Sequence, residues 1–394
     1  MQSFTYYSPT HVFFGPGVEE QTGCELRKEG AHRVLVHFGG GSVQRSGVLQ
    51  RVLESLDKAG LYHVELGGVK PNPAVSKVRE GIELCRKEKI DWLLAVGGGS
   101  VIDSCKAIGL GYGNPELEVW DLFAGKAKAT RSTPISSVLT MAAAGSELSD
   151  NTVINNEELK QKRGYATDLN RPVSAFLNPG LLQTLPPFQA ACGATDILMH
   201  TMERYFTNRL GNHLTDGIAE ALMKTVVRFG PAFYKNPGDP EAASEIMWAG
   251  SLSHNNLTGL GGAKDFATHQ LGHELSALFD YSHGATLSAM WGSWARYVAP
   301  ENPARFAELG QNVFGMTLSP DLAGAEQAIQ RVEEFFRSLD MPVTLEALMG
   351  RKATEGELST LATGCSRGGG RTIGTFKTLA HDDILKIYQA ANNR

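Results

Sequence analysis

Between residues 33 and 113 the chain alternates between two hydrophobic periods, and this alternation restricts the fold more than any other feature. "RVLVHF", "YHVEL" and "DWLLAV" are short apolar runs typical of buried strands, whereas "VLQRVLESLDKAG" and "AVSKVREGIELCRKEKI" have apolar residues at helical spacing. Strands that alternate with helices form βαβ units, because parallel neighbours need a crossover connection. The pattern therefore predicts a doubly wound parallel sheet covered by helices.

After about residue 180 the strand signals fade. "QAACGATDILMHTMERYF" and "HLTDGIAEALMKTVVRFG" have helical spacing, and prolines and a glycine interrupt the pattern in "LNPGLLQTLPP", residues 177–187. We therefore predict an α/β, Rossmann-like N-terminal domain over residues 1–180 and an all-α C-terminal domain over residues 181–394.

Composition and charge exclude several classes of partner. The chain has 394 residues and a formal net charge of −5, and it has no basic stripe that could neutralise phosphates. The five cysteines are scattered without a CxxC pair, which favours a reducing compartment. The start "MQSFTYYSPT" is unlike a signal peptide, and no apolar run approaches the ~20 residues needed to cross a bilayer. We expect a cytoplasmic protein that binds neither nucleic acid nor membrane.

Two copies of "GGGS", at residues 39–42 and 97–100, each follow a predicted strand. Glycine allows a sharp turn and lets a ligand approach the backbone, and the N-terminus of the following helix attracts a diphosphate. Asp103, one turn into the second helix, could orient a ribose or a phosphate-bound water. A strand–helix turn that merely needs glycine explains one copy as well. The second copy favours a dinucleotide, because neighbouring parallel strands would bring both turns to the same carboxyl edge.

Histidines and one aspartate recur at helical spacing in the C-terminal half. Asp196 and His200 are four residues apart, as are His269 and His273, and His283 follows ten residues later. Residues four apart share one face of a helix. Imidazoles with one carboxylate suit Fe²⁺ or Zn²⁺. Helices with hydrogen-bonded core histidines remain an alternative interpretation of the spacing alone.

Several motifs in the same order resemble one known family. They include "FFGPG", "VKPNP", "AVGGGSVIDSCKAIG", "GATDILMHTMERY", "ATHQLGHELSALFDYSHG" and "GGRTIGTF". Nearly end to end, the chain resembles the iron-dependent (group III) alcohol dehydrogenases, and more narrowly their butanol dehydrogenase and NADPH-dependent aldehyde reductase branch. The resemblance implies the dehydroquinate synthase-like fold of that family, with the dinucleotide bound by the N-terminal domain and the metal and substrate by the helical domain.

The resemblance also assigns residues. It implies one divalent metal, Fe²⁺ or Zn²⁺, held by Asp196, His200, His269 and His283, and it makes His273 a catalytic residue near the nicotinamide that relays a proton. The cofactor residues that it implies are Gly97, Gly98, Gly99, Ser100 and Asp103 at the diphosphate, Gly39, Gly40 and Ser42 near the adenosine ribose, Asn72 near the adenine ribose, Thr140, Asn151 and Lys162 at the nicotinamide end, and Leu181 packed on the cofactor.

Three positions depart from the family's pattern or are less clearly assigned. The family usually has threonine before the glycine of its "TGSE" motif, whereas this chain has Ala144, so that one hydroxyl contact to the cofactor is in doubt. His254 is unusual at an expected pocket wall, where it could equally be a core histidine. Cys365 matches a loop that approaches the substrate in some relatives.

These parts imply a reversible alcohol–aldehyde interconversion, with hydride passing between a small alcohol or aldehyde and a nicotinamide and the metal acting as a Lewis acid. A homodimer is implied by the relatives. One alternative is a metal-dependent lyase of the dehydroquinate synthase type on the same fold, although such relatives typically use three protein ligands. The other alternative is a non-enzymatic binding protein that has kept the scaffold.

The choice between NAD and NADP is predicted from the residue that follows the strand-like run "RVLVHF". NAD-preferring relatives tend to have an aspartate there, whose charge would repel a 2′-phosphate, whereas this chain has Gly39. Ser42 can offer a hydroxyl donor, and Arg45 is close enough in sequence to add a positive charge. We predict NADP(H), with NAD(H) as the alternative.

Overall fold

The N-terminal half of the chain forms a six-stranded parallel sheet. The computed structural model describes residues 2–208 and 211–394. The strands of the sheet run in the order β1-β8-β5-β4-β2-β3, and β6 and β7 form a separate antiparallel hairpin. The strand bounds are β1 (His11–Phe14), β2 (Arg33–Gly39), β3 (Tyr62–Val69), β4 (Trp92–Gly97), β5 (Ile135–Leu139), β6 (Asn151–Asn156), β7 (Gln161–Ala166) and β8 (Ser174–Leu177).

Helices follow most of the strands and make up nearly all of the second half. Their bounds are α1 (Thr22–Glu29), α2 (Ser42–Arg45), α3 (Val48–Lys58), α4 (Val75–Glu88), α5 (Gly99–Gly113), α6 (Val119–Phe123), α7 (Pro187–Tyr205), α8 (His213–Lys235), α9 (Pro240–Ser253), α10 (Ala267–Phe279), α11 (His283–Val298), α12 (Pro303–Phe314), α13 (Leu322–Ser338), α14 (Leu345–Met349), α15 (Glu355–Cys365) and α16 (His381–Asn392). Short 3₁₀ helices span Val18–Gln21, Ser146–Leu148, Asp168–Asn170, Pro179–Thr184, Leu257–Gly259 and Ala299–Glu301.

The chain forms two compact units. One contains Tyr7–Leu185 and Pro237–Met247, and the other contains Pro186–Asn236 and Trp248–Arg394 with the N-terminal residues through Tyr6. The first holds the parallel sheet and the second is helical, so the predicted fold class, a parallel α/β domain with an all-α domain, is confirmed.

The sheet of the first unit is most deeply buried at its centre. Every residue of β4 and β5 is buried, which is typical of parallel strands covered on both faces. Their sequences are nearly continuous apolar or small-residue runs, "WLLAVG" and "ISSVL". Buried strands of this kind fix the positions where the chain leaves the sheet, and those positions carry the predicted cofactor residues.

Two long helices form the interior of the second unit. In α7 every residue from Ala190 to Tyr205 is buried, and in α11 every residue from Gly284 to Ala295 is buried. A helix that is buried all round must be surrounded by other elements. More amphipathic helices lie around them, such as α13, whose first turn is capped by the Asp321 carboxylate at 2.9 Å from the Gly324 N–H.

Two further observations concern membrane-spanning helices and the cysteines. Among the helices in the described ranges, none combines the length and the hydropathy that crossing a bilayer requires. All five cysteines are free thiols, and Cys24 alone of the five is exposed.

A buried histidine in the sheet gives the first prediction, a loss of stability in mild acid. The His37 ring lies in β2 with Nδ1 2.8 Å from the Leu66 carbonyl and Nε2 2.9 Å from the Ser104 hydroxyl. Burial lowers the pKa of His37 to about 4. The unfolded chain takes up a proton below the ordinary value of 6.5 while the folded chain does not. The stabilisation is therefore complete above that value and is lost as the pH falls towards 4, by about 3 kcal/mol in all.

Urea unfolding at pH 7 and at pH 4.5 tests this expectation. In His37→Gln the side chain stays polar but cannot titrate, so the free energy of unfolding should fall less with pH than in the wild type. His32→Gln is the matched control, since the His32 side chain is 65% exposed. An unchanged pH dependence in His37→Gln would show that other groups control acid stability.

Candidate active site

The two glycine turns lie side by side at one edge of the sheet. β2 ends at Gly39 and β4 ends at Gly97, and the two strands are parallel neighbours with Phe38 opposite Val96. The prediction that both turns share the carboxyl edge is thus confirmed. The second turn leads directly into α5, a fifteen-residue helix whose free N–H groups and dipole favour an anion at this edge.

The second turn is packed so tightly that its first residue must be glycine. A Cβ atom on Gly97 would lie 2.5 Å from Val101 Cγ2, and one on Gly98 would lie 3.0 Å from Met141 Cβ. A Cβ on Gly99 would lie 3.4 Å from the Ala144 methyl group. Ala144, the position that departs from the family's pattern, therefore lies against the turn, where the structure has a methyl group and no hydroxyl.

Other predicted cofactor residues follow the same edge. Thr140 is the residue after β5, and its N–H donates to the Gly97 carbonyl at 3.1 Å. Leu181 lies in the 3₁₀ helix after β8 and packs on the hydrophobic core of the sheet. Lys162 of β7 donates to the Asn72 side-chain oxygen at 2.8 Å, so the structure brings these two predicted residues together.

The Asp103 carboxylate accepts hydrogen bonds from other residues of the protein. It accepts from the Ser146 hydroxyl at 2.6 Å and from the Val153 N–H at 3.0 Å. Burial raises the pKa of this carboxyl, and nearby Lys106 opposes that shift. These contacts tie α5 to the segment that contains Asn151, another predicted cofactor residue, so the contact of Asp103 with a cofactor stays a prediction.

Lys106, which sequence reasoning missed, holds the same segment. The side chain is completely buried, and Nζ donates to the carbonyls of Ser146 at 2.6 Å, Ser149 at 3.0 Å and Asn151 at 2.8 Å. Burial lowers the pKa of Lys106 to about 8. A lysine three residues after Asp103 in an otherwise apolar helix was the available signal.

In the helical unit, α7 and α10 bring together three of the four predicted metal ligands. Asp196 and His200 lie one turn apart in α7, and His269 lies in the first turn of α10; all three are 4% exposed. One potential ligand atom from each lies within 4.8 Å of the other two. The fourth predicted ligand, His283, is the first residue of α11, with Nε2 3.8 Å from Asp196 Oδ1.

The distances between these atoms suit a small divalent cation. Two ligands on a tetrahedral Zn²⁺ with bonds near 2.0 Å are about 3.3 Å apart. Here His269 Nε2 is 3.2 Å from His200 Nε2 and 3.7 Å from Asp196 Oδ1. The donor set of imidazoles and one carboxylate is also the set that Fe²⁺ and Zn²⁺ accept. The residues present therefore fit such an ion.

The charges of the cluster also favour a cation. Burial acts to raise the pKa of Asp196, but the His200 and His283 imidazoles hold it well below its usual range. Burial lowers the pKa of His200. For His269 burial again acts to lower the pKa, but the Glu203 and Asp196 carboxylates raise it to about 9. The carboxylates thus attract positive charge to the place where a metal would compete with the proton.

The glycine after His283 allows α11 to approach α7 closely. A Cβ atom on Gly284 would lie 2.4 Å from the Cys192 carbonyl oxygen and 2.8 Å from its Cα. Both atoms are backbone, so a side chain could not be accommodated without moving one helix. Cys192 is one turn before Asp196 in α7, and the close contact therefore sets the position of His283 relative to Asp196.

Two more histidines surround the cluster. The half-buried His273 ring lies 5.2 Å from the His283 ring and 6.3 Å from the His269 ring, between centroids. The buried His254 ring packs edge-on against His200 at a centroid distance of 4.2 Å. Cys365, assigned to a substrate loop by resemblance, is fully buried at the end of α15, and burial raises its pKa to about 12.

Glu203 is the second residue that sequence reasoning missed. It follows Asp196 by two turns on α7, is completely buried, and its carboxylate contacts His269 Nδ1 and accepts from the His269 N–H at 3.2 Å. Its spacing from Asp196, seven residues, was the only sequence signal that placed it on the same face.

Comparison with known proteins decides the family. The sequence pattern named "Iron-containing alcohol dehydrogenase" matches residues 9–179, and the pattern of that family's C-terminal region matches residues 190–392. The chain belongs to the iron-containing alcohol dehydrogenase family. The resemblance seen in the sequence is thereby confirmed, and the family together with its relatives supports a metal and a nicotinamide cofactor.

Individual relatives match over almost the whole length. The chain is 38% identical to NADH-dependent butanol dehydrogenase A of Clostridium acetobutylicum over 99% of both chains, and 34% identical to NADPH-dependent aldehyde reductase YqhD of Escherichia coli over 88% of this chain and 89% of the relative. The crystal structure of NADH-dependent butanol dehydrogenase A from Thermotoga maritima superposes with a TM-score of 0.95, at 32% identity and 99% coverage of both. As a member of the family, the chain is an NAD(P)-dependent oxidoreductase of the alcohol dehydrogenase class.

Proposed function

We propose that this protein interconverts a small alcohol and its aldehyde, running mainly towards aldehyde reduction, with NADP(H) as the hydride carrier. The observation that carries the proposal is the buried cluster of Asp196, His200 and His269, whose ligand atoms lie at the separations a divalent ion needs. The substrate class rests on relatives that are named butanol dehydrogenase and aldehyde reductase. A homodimer that acts in the cytoplasm completes the proposal.

The metal ligands in this proposal are Asp196, His200, His269 and His283. A divalent ion bound there, Fe²⁺ or Zn²⁺, supplies a Lewis acid for the substrate oxygen. His273 moves the proton that the oxygen gains or loses, since the family resemblance gives it that role and its ring lies 5.2 Å from the ring of the proposed ligand His283. The proposed cofactor residues are those at the carboxyl edge of the sheet and on the hairpin beside it: Gly39, Gly40, Ser42, Asn72, Gly97, Gly98, Gly99, Ser100, Asp103, Thr140, Asn151, Lys162 and Leu181.

One assay separates this proposal from its alternatives. Consumption of NADPH in the presence of butanal, followed by the loss of its near-ultraviolet absorbance, should be continuous and should depend on added Fe²⁺ or Zn²⁺ after chelation. A lyase of the dehydroquinate synthase type would show no net consumption of NADPH, and a protein that only binds NADPH would show none.

The preference for NADP(H) is proposed from Gly39, since the relatives include both NADH-dependent and NADPH-dependent enzymes. No carboxylate stands at this position to repel a 2′-phosphate, and Arg45 lies in the helix that follows the turn, with one guanidinium nitrogen 3.4 Å from where a Cβ of Gly41 would be. We expect a higher kcat/KM with NADPH than with NADH.

Introducing the missing charge should reverse part of this preference. A Cβ on Gly39 would meet Val69 O at 3.5 Å and Val101 Cγ2 at 3.7 Å, which are ordinary contacts, so Gly39→Asp can be accommodated. Its carboxylate should shift the ratio of kcat/KM values towards NADH by about 10-fold or more, because about 1.4 kcal/mol of repulsion is sufficient.

Gly39→Asn is the matched control, since it has the same shape without the charge and should shift the ratio much less. If the wild type already uses NADH better than NADPH, the assignment of Gly39 is refuted.

A further inference from the structure

The two histidines that face each other across the ligand cluster have their other ring nitrogens fixed in different ways. His200 Nδ1 lies 3.0 Å from the backbone carbonyl of Asp196 and 3.1 Å from Asp196 Oδ1. His269 Nδ1 lies against the carboxylate of Glu203, which is completely buried. The His200 ring is thus held by Asp196, itself a predicted ligand, whereas the His269 ring is held by a residue outside the predicted ligand set.

The contact determines which nitrogen of His269 can bind a metal. An imidazole that binds a metal is neutral, with one N–H and one lone pair, and a carboxylate oxygen accepts hydrogen bonds. Glu203 therefore keeps the ring proton on Nδ1 and leaves the lone pair on Nε2. It is Nε2 that lies 3.2 Å from His200 Nε2 and 3.7 Å from Asp196 Oδ1.

Glu203 also holds the backbone of the same residue. Its second oxygen accepts from the His269 N–H at 3.2 Å, in the first turn of α10, where no preceding helical carbonyl is available. In the other direction the Glu203 carbonyl accepts from the Asp265 N–H at 2.9 Å, just before α10 begins. One residue of α7 therefore fixes both the position and the ring of the ligand that α10 contributes.

We propose that Glu203 is a positioning residue that holds His269 in the tautomer and orientation needed for metal binding. The inference rests on the metal site proposed above, and it adds a residue outside the proposed ligand set. Partners of this kind typically contribute 10–100-fold to metal affinity.

Glu203→Gln tests the proposal because it keeps the size and removes one acceptor. Two N–H groups of His269 point at the carboxylate, whereas an amide offers one acceptor oxygen and one NH₂ group. Either one N–H group loses its partner, or the ring proton moves to Nε2, which then cannot bind a cation. In full-length protein loaded with Zn²⁺, competition with a chromophoric chelator should show a Kd roughly 10–100-fold higher than in the wild type.

Glu333→Gln is the matched control in the same unit. Glu333 is 2% exposed and pairs with Arg296 and Arg394 at 2.8 and 2.6 Å, with no contact to the predicted ligands among its described partners. This variant should unfold at a lower temperature and keep the wild-type Kd for Zn²⁺. Glu203→Asp, which keeps a carboxyl group with two oxygens, should recover part of the affinity and serves in place of the glutamine variant if that variant does not fold.

The outcomes separate this inference from the function on which it rests. A wild-type Kd in Glu203→Gln overturns the role of Glu203 and leaves the metal site intact. An equal loss of affinity in Glu333→Gln also overturns it, because the effect would then be general destabilisation. If the wild-type chain does not bind Zn²⁺ in the same competition experiment, the proposed metal site itself is overturned, and the inference with it.

Discussion

His269→Ala and His283→Ala are each expected to lose most of the bound metal and to have no detectable dehydrogenase activity. His269 Nε2 lies within 3.7 Å of both His200 Nε2 and Asp196 Oδ1, and His283 Nε2 lies 3.8 Å from Asp196 Oδ1. Removing either imidazole from a four-ligand set leaves fewer donors for the cation and leaves the Asp196 charge poorly compensated in a buried position. Metal analysis of the purified variants, with thermal unfolding to verify folding, measures the effect.

His254 supplies a matched control for both variants. Its ring is buried and lies 4.2 Å from the His200 ring between centroids, so His254→Ala removes an imidazole from the same surroundings. It should keep stoichiometric metal, since the proposed ligand set does not include it. Retention of metal in His283→Ala together with its loss in His254→Ala would make His254 the fourth ligand and contradict the proposed set.

The fold could be predicted from the sequence because its signals are local. The alternation of strand-like and helical runs before residue 113 reflects burial of strands on both faces and of helices on one face, and both patterns are visible in consecutive residues. The order of the strands is different. That β8 lies between β1 and β5 depends on which distant segments pair, and the inclusion of Pro237–Met247 in the unit that holds the sheet is likewise a matter of long-range contacts.

The same distinction applies to the candidate site. Asp196 and His200 could be recognised as candidate ligands from their helical spacing. His269 and His283 could be recognised because several histidines lie close together in that part of the sequence. Glu203 and Lys106, in contrast, contact residues that are distant in the sequence. The His269 ring is 66 residues from Glu203, and the Ser146 carbonyl is 40 residues from Lys106. A glutamate or lysine on a helix is normally solvent-exposed, so the apolar surroundings of Lys106 and the seven-residue spacing of Glu203 from Asp196 are only weak local signals.

His273→Ala is expected to keep its metal but to reduce kcat by roughly 10²-fold, the lower end of the contribution of general acid–base catalysis. The ring lies 5.2 Å from the His283 ring and 6.3 Å from the His269 ring, beside the proposed ligands, and the family resemblance assigns it to proton transfer and not to the ligand set. A residue that moves a proton without binding the metal should affect turnover and leave metal content unchanged. Steady-state kinetics with butanal and NADPH, together with metal analysis of the same preparation, distinguishes the two roles.

His381→Ala is the matched control for this variant. His381 is at the start of α16, with Nδ1 2.9 Å from the Ser366 hydroxyl, and its removal should leave kcat and metal content near those of the wild type. If His273→Ala loses its metal, the His273 imidazole is a ligand, and one of the four proposed ligands must be replaced by it. If the variant keeps both its metal and its kcat, the proton reaches the substrate oxygen by a route that does not include His273, with ordered water as the remaining carrier.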